Sequence, residues 1–225
     1  SAVGRAVAGS RVTSPLIPRL AKTFIWALLA AVMSRASMAE RIEFVDVTLR
    51  DGHQSLWAER MTTGMMLPMV ERLDRAGFIG LEVLSPSFIG KCVRDLHEDP
   101  IERIRLLAKR GGRTPMRVNG GGLNLFGSDQ QSMVELFWRV MAAAGIQEVR
   151  VSDSWNDPKV WALRAGAAAA AGVRPIINIT YSISPRHTDQ YYIERTQAAV
   201  KLKPFRLCLK DPGGLLTPER TRTLV

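Results

Sequence analysis

The chain has 225 residues, with 31 Lys and Arg against 21 Asp and Glu, a formal charge of +10. With 46% hydrophobic and 23% charged residues it matches a globular protein and excludes a disordered, collagen-like or disulfide-scaffold chain. Cys92 and Cys208, far apart and outside any CxxC pair, read as reduced thiols.

The charge is uneven. Residues 1–37 carry Arg5, Arg11, Arg19, Lys22 and Arg35 and no acidic residue, so half of the net charge belongs to this leader. No basic stripe with interleaved aromatics and no recognition-helix motif accompanies it, so nucleic acid is not an expected partner. Thr23–Met33 is apolar but falls short of the roughly 20 residues a membrane span needs. Arg19 and Lys22 before it, and Ala36, Ser37 and Ala39 after it, allow a secretory signal or an organelle transit segment. A third reading makes Met38 the natural start of a cytoplasmic enzyme. Residues 1–40 are therefore set apart as a leader, and 41–225 as the folded domain.

From Arg41 onward a βα rhythm is predicted. Ile42–Arg50 reads as a strand ending at Asp51-Gly52. Thr62–Ala76 reads as a helix with Met65, Met66, Met69, Val70 and Leu73 inward, closed by Gly77. Phe78–Leu84 is a second strand. Asp99-Pro100 opens a helix that buries Ile101, Ile104, Leu107 and Ala108 and ends at Gly111-Gly112. Pro115–Asn119 is a third strand, followed by a helix over Gln130–Ala144 closed by Gly145. Glu148–Ser152 is a fourth strand, and Pro158–Ala171 a helix closed by Gly172. Arg174–Tyr181 is a fifth strand, Thr188–Lys203 a helix with Tyr192, Thr196, Ala199 and Val200 inward, and Phe205–Leu209 a sixth strand. Thr217-Pro218 begins another helix.

Strict alternation of strands and helices implies a parallel sheet. Helix-closing glycines recur at Gly77, Gly111, Gly145 and Gly172, which favours one repeated βα unit. No GxGxxG follows the first strand, so a dinucleotide fold is disfavoured. The fold class is α/β, a (β/α)8 TIM barrel with about six of its eight strands present; about two βα units are expected to be missing at the C-terminal end. Functional side chains of such barrels sit at the C-terminal ends of strands. Those positions hold Arg50, Asp51 and Gln54 after strand one, Glu82 in strand two, Asn119 after strand three, Asp153 after strand four, and Lys210 and Asp211 after strand six. A guanidinium beside a carboxylate, as in Arg50-Asp51, can hold an enolate or carboxylate oxygen while the carboxylate binds a metal.

Asp46–Ser55 (DVTLRDGHQS) resembles the first-strand motif of the metal-dependent lyase and carboxyltransferase barrels. This superfamily includes the carboxyltransferase domains of pyruvate carboxylase and transcarboxylase, the oxaloacetate decarboxylase alpha chain and hydroxymethylglutaryl-CoA lyase. The Gly-His-Gln-Ser ending is similar to the carboxyltransferase branch. Cys92–Arg94, His97–Pro100, Leu123–Gly127, Ser152-Asp153 with Asn156-Asp157, Ser182–Tyr192 and Leu209–Pro218 extend the resemblance over residues 41–225.

The resemblance implies that Asp51 is a metal ligand, and that Arg50 and Gln54 contact the oxo and carboxylate oxygens of a substrate. Asp153 is counted with Arg50 and Gln54 as catalytic. Lys210 matches a lysine that is carbamylated and binds the metal. A neutral amine can take up CO2 and become an anionic oxygen ligand, which requires a depressed pKa. The implied cofactors are a divalent metal (Zn, Mn, Co or Mg) and biotin on a partner domain. The implied partners are a small 2-oxo acid or acyl substrate, a biotin carrier domain, and further copies in a homo-oligomer. The family's His-x-His ligand pair has no match among His53, His97 and His187. Of these, His53 is expected to order the first loop, His97 to lie on the second helix, and His187 to lie after strand five.

Three positions depart from the pyruvate-specific branch. Gly121 stands where that branch has Arg, Gly90 where it has an acidic residue, and Ser128 where it has Tyr. They keep open an aldol- or Claisen-type C–C lyase or synthase of the same superfamily, with an inactive paralogue as a third reading. The leading expectation is a metal-dependent carboxyltransferase acting through a stabilised enolate.

Overall fold

The computed structural model describes residues 42–120 and 130–225. The leader, the Leu123–Gly127 match and the departures at Gly121 and Ser128 lie outside the described residues. Residues 43–225 form one compact unit. Its strands are β1 (Val45–Asp46), β2 (Gly80–Leu84), β3 (Met116–Gly120), β4 (Ile146–Val151), β5 (Arg174–Thr180) and β6 (Arg206–Lys210). They pair in parallel in sequence order, each with the next. α1 (His53–Trp57) and α2 (Thr63–Arg75) follow β1, and α3 (Pro86–Arg94) and α4 (Pro100–Arg110) follow β2. α5 (Gln131–Ala144), α6 (Pro158–Ala170), α7 (Asp189–Lys201) and α8 (Pro218–Leu224) follow β3 to β6. Sequential parallel strands with helical crossovers make this an incomplete (β/α)8 barrel.

Local chemistry sets the helix starts. Asp99 accepts from the backbone N–H of Ile101 and Glu102, and Asp157 from that of Lys159. Thr62, Thr188 and Thr217 accept from the third residue beyond them. These caps satisfy amides that a helix start would leave unpaired. Pro100, Pro158 and Pro218 stand in the first turn, where no backbone donor is lost.

Strands β2 to β5 turn alternate residues toward the helices. Leu81 and Val83, Met116 and Val118, Val149 and Val151, and Ile177 and Ile179 pack in one core with Val70, Leu107, Met141 and Trp161. The intervening residues point to the other face and are polar: Glu82, Arg117, Glu148, Arg150 and Asn178.

Several expectations are corrected. The first strand does not run to Arg50. It stops at Asp46, and Thr48–Gly52 winds into a π-turn in which Arg50, Asp51 and Gly52 donate to the Val47 carbonyl. α1 and α3 were not anticipated, being short and embedded in loop-like sequence. Met65 and Met69 are exposed, so the inward stripe of α2 is narrower than the methionine spacing suggested; Met66 and Val70 carry it. Val200 is likewise exposed on α7. His97 sits at positive φ in the turn between α3 and α4, not on a helix. The left-handed glycine after α4 is Gly112, one residue beyond Gly111.

Candidate active site

The π-turn begins at Asp46, whose carboxylate accepts from the Thr48 backbone N–H at 3.1 Å and from its hydroxyl at 2.8 Å. This pulls the chain out of the sheet and anchors Leu49 in the core. Arg50 and Asp51 on the turn and Gln54 on α1 are thereby collected beyond the C-terminal end of β1. π-bulges recur at functional sites because they re-aim side chains without ending the local hydrogen bonding.

Arg50 is the hub. Its Nε donates to Glu82 Oε1 at 2.6 Å, and Nη2 lies 2.5 Å from the same oxygen. Its Nη1 donates to Asp51 Oδ1 at 2.7 Å and reaches Gln54 Oε1 at 3.4 Å. Glu82 is fully buried, and its second oxygen accepts from Arg150 Nη1 at 2.9 Å. One carboxylate is thus bridged by two guanidiniums. A buried carboxylate is tolerated only with such compensation.

Lys210 closes the other side at the end of β6. Burial, then the nearby Arg150 and Arg50 guanidiniums, hold its amine below the usual lysine range. Among the described residues it has no ion-pair partner, the adjacent Asp211 included. Asp211 instead turns into its own loop, accepting from the Leu216 N–H at 2.8 Å. Asn178, fully buried on β5, donates to Ser152 Oγ at 2.6 Å while its Oδ1 has no partner.

Arg50, Asp51 and Gln54 are therefore brought together, with Lys210 within electrostatic reach of Arg50. Asp153 stands after β4, but its carboxylate is engaged by amides of its own loop. Oδ2 accepts from the Trp155 and Asp157 amides at 3.0 Å each, and its carbonyl from Thr180 Oγ1 at 3.3 Å. His53 is buried on α1, edge-on to Phe88 at 5.0 Å. Burial and then Arg103 push its pKa down to about 4, so it packs as a neutral ring beneath the turn. His187 binds Ser184 within the loop after β5. Arg150 was not among the expected site residues. The available signal was a charged residue alternating with Val149 and Val151 in a strand whose neighbours are buried.

Among the described residues, no group of three or more His, Cys, Asp or Glu side chains lies close enough to hold a metal ion. Asp51 is half exposed at the mouth and has one oxygen engaged by Arg50. Asp51 and Lys210 do not complete a metal site by themselves. Nor does any described helix have the length and apolarity to cross a membrane.

No family model matches the chain. It is 37% identical over 186 residues to a pyruvate carboxylase subunit of Methanocaldococcus jannaschii, covering 82% of this chain and 33% of that one. It is 31% identical to the methylmalonyl-CoA carboxyltransferase 5S subunit of Propionibacterium freudenreichii, covering 81% and 37% respectively. With the 2-oxoglutarate carboxylase large subunit of Hydrogenobacter thermophilus it shares 30% identity, covering 85% and 30%. Among solved structures, the carboxyl transferase domain of Rhizobium etli pyruvate carboxylase with 3-bromopyruvate superposes with a TM-score of 0.76 at 27% identity, covering 82% of this chain and 33% of that one. The chain thus spans about a third of the length of these relatives. Fold and relatives agree, and the chain is related to part of the carboxyltransferase barrels of the pyruvate carboxylase type.

Proposed function

We propose that this chain supplies the acid-binding part of a carboxyltransferase that adds a carboxyl group to a 2-oxo acid or acyl substrate. The observation that carries the reading is the Arg50 turn. One guanidinium is locked on buried Glu82 and presents Nη1 at the mouth beside Asp51 and Gln54. A fixed guanidinium suits a carboxylate or a developing enolate oxygen, because its donors need no reorientation as charge forms. In the overall exchange the acid loses a proton from the carbon next to its carbonyl. A bond to the carboxyl carbon forms there, and the proton passes to the group that gave up the carboxyl. We propose biotin on a partner domain as that donor.

Asp51 and Lys210 are proposed as this chain's share of a divalent-metal ligand set whose other donors lie outside the described residues. The depressed Lys210 favours the neutral amine that can take up CO2. Asp153 is proposed as a catalytic carboxylate at the rim. The relatives named above are carboxylases and a carboxyltransferase, which supports carboxyl transfer over C–C cleavage. Of the departures that kept the lyase reading open, only Gly90 is described. It sits within α3 beside Arg94.

The test is Arg50→Lys in the full protein that carries this chain, assayed with pyruvate and with 2-oxoglutarate as acceptors. Lysine keeps the charge but loses the fork that grips Glu82 while facing the mouth. A fall in kcat/KM of about 100-fold for the accepted acid is expected. Unchanged turnover sinks the assignment.

A further inference from the structure

The polar face of the sheet holds two groups of the same composition. In the lower one, Arg117 donates through Nε and Nη2 to Glu148 Oε2 at 3.0 and 2.5 Å, and Arg174 donates to Oε1 at 2.8 Å. Backbone pairing sets these three residues side by side in β3, β4 and β5. In the upper one, Glu82 is bridged by Arg50 and Arg150. Arg150 lies two residues further along β4, toward the mouth. The lower group joins only strand residues. The upper group joins two strand residues to the turn that carries the substrate-facing donor. Arg150 also has a buried Nε with no hydrogen-bond partner among the described residues.

We propose that Glu82 and Arg150 are positioning residues that act through Arg50. Arg150 holds Glu82 by Oε2 and so fixes the carboxylate with Oε1 facing Arg50. Both Nε and Nη2 of Arg50 converge on that oxygen, and Nη1 is turned outward to Asp51, Gln54 and the acid. Without Arg150 the Glu82 carboxylate can turn, and Arg50 can swing to an end-on grip through Nη1 and Nη2 on its two oxygens, which draws Nη1 from the mouth. Without the Glu82 charge, the two guanidiniums repel and the turn loses its anchor. This rests on the carboxyl-transfer reading above.

The experiment is a double-mutant cycle in the full protein, with carboxylation of pyruvate or 2-oxoglutarate, whichever is accepted, as the readout. Glu82→Gln is expected to lower kcat/KM by about 10- to 100-fold, mainly through KM, and by less than about threefold when Arg50→Lys is already present. Arg150→Met is expected to behave in the same way, with Arg150→Lys restoring part of the loss; it carries the cycle if Glu82→Gln does not fold. Glu148→Gln, the same change in the lower group, is expected to lower thermal stability and leave KM within about twofold. Equal losses from Glu82→Gln with and without Arg50→Lys would overturn the positioning role while leaving the acid-binding reading intact. Wild-type KM and kcat in Arg50→Lys alone would overturn both.

Discussion

Arg50 divides its guanidinium between a buried carboxylate and an open mouth, and that division is legible only in part from its neighbours. Thr48–Ser55 marks Arg50, Asp51 and Gln54 as one cluster in the sequence. The π-turn that gathers them, and the partner behind it, are not marked. Asp153 shows the converse. Its place at a strand end was readable, but its Oδ2 is engaged by two loop amides. Asp153→Asn keeps an oxygen acceptor for those amides and removes only the charge. A kcat fall of about tenfold or more in that variant, at unchanged thermal stability, reports a catalytic carboxylate; wild-type kcat limits Asp153 to shaping the loop.

Glu98 gives a pH prediction. Burial raises its pKa, but hydrogen bonds from Arg103 and Thr63 outweigh this and hold it below the usual glutamate range. It accepts from the Thr63 backbone N–H and hydroxyl and pairs with the fully buried Arg103. A carboxyl whose folded pKa is depressed adds stability above its unfolded pKa and loses it as pH falls through the folded value. Acid titration of the thermal midpoint should therefore show a loss beginning below about pH 4.5 that is smaller in Glu98→Gln. That variant should be about 3 kcal/mol less stable at pH 7, because Arg103 is left buried without its counter-charge.

At the scale of elements, capping chemistry was the readable part. Asp99-Pro100, Asp157-Pro158 and Thr217-Pro218 each mark a helix start found in the structure. Gly145 marks an end. Its φ is +114°, and a Cβ there would lie 2.5 Å from the Ala108 Cβ on α4. Gly145→Ala should cost about 2 to 3 kcal/mol in chemical denaturation, from backbone strain together with that overlap. A loss below about 0.5 kcal/mol would show that α4 and α5 can separate there. The elements that escaped prediction are those that local pattern does not specify. Ile42–Thr48 is rich in strand formers, yet the Asp46 side chain captures Thr48 and the chain leaves the sheet. α3 has only nine residues, and Phe88 and Cys92 give it a single buried pair. Alone it falls below the length at which helices persist in water, so packing on the core makes it helical.

At the scale of the molecule, the helix-facing side of the sheet is an apolar core and the other side is charged. Trp161 is fully buried within that core. Trp161→Ala should lower stability by about 3 to 5 kcal/mol, measured by denaturant midpoint; a loss under about 1 kcal/mol would mean the site collapses around the missing ring. The proposed donor is also testable at this scale. Avidin, which sequesters biotin, should abolish carboxylation by the full protein, whereas carboxylation that persists rules out biotin as the donor.

Read alone, the chain dictates the alternation of strands and helices, most helix ends, the grouping of Arg50, Asp51 and Gln54 after the first strand, and Lys210 at the end of the sixth. These depend on side-chain period, capping and turn chemistry, which act over a few residues. Folding alone decides that Glu82 clasps Arg50 across 32 residues and Arg150 across 68. Such contacts follow from the parallel register and from which strand faces are turned toward one another. A charged residue in a buried strand announces that it needs a partner, but only the tertiary structure determines which one it meets.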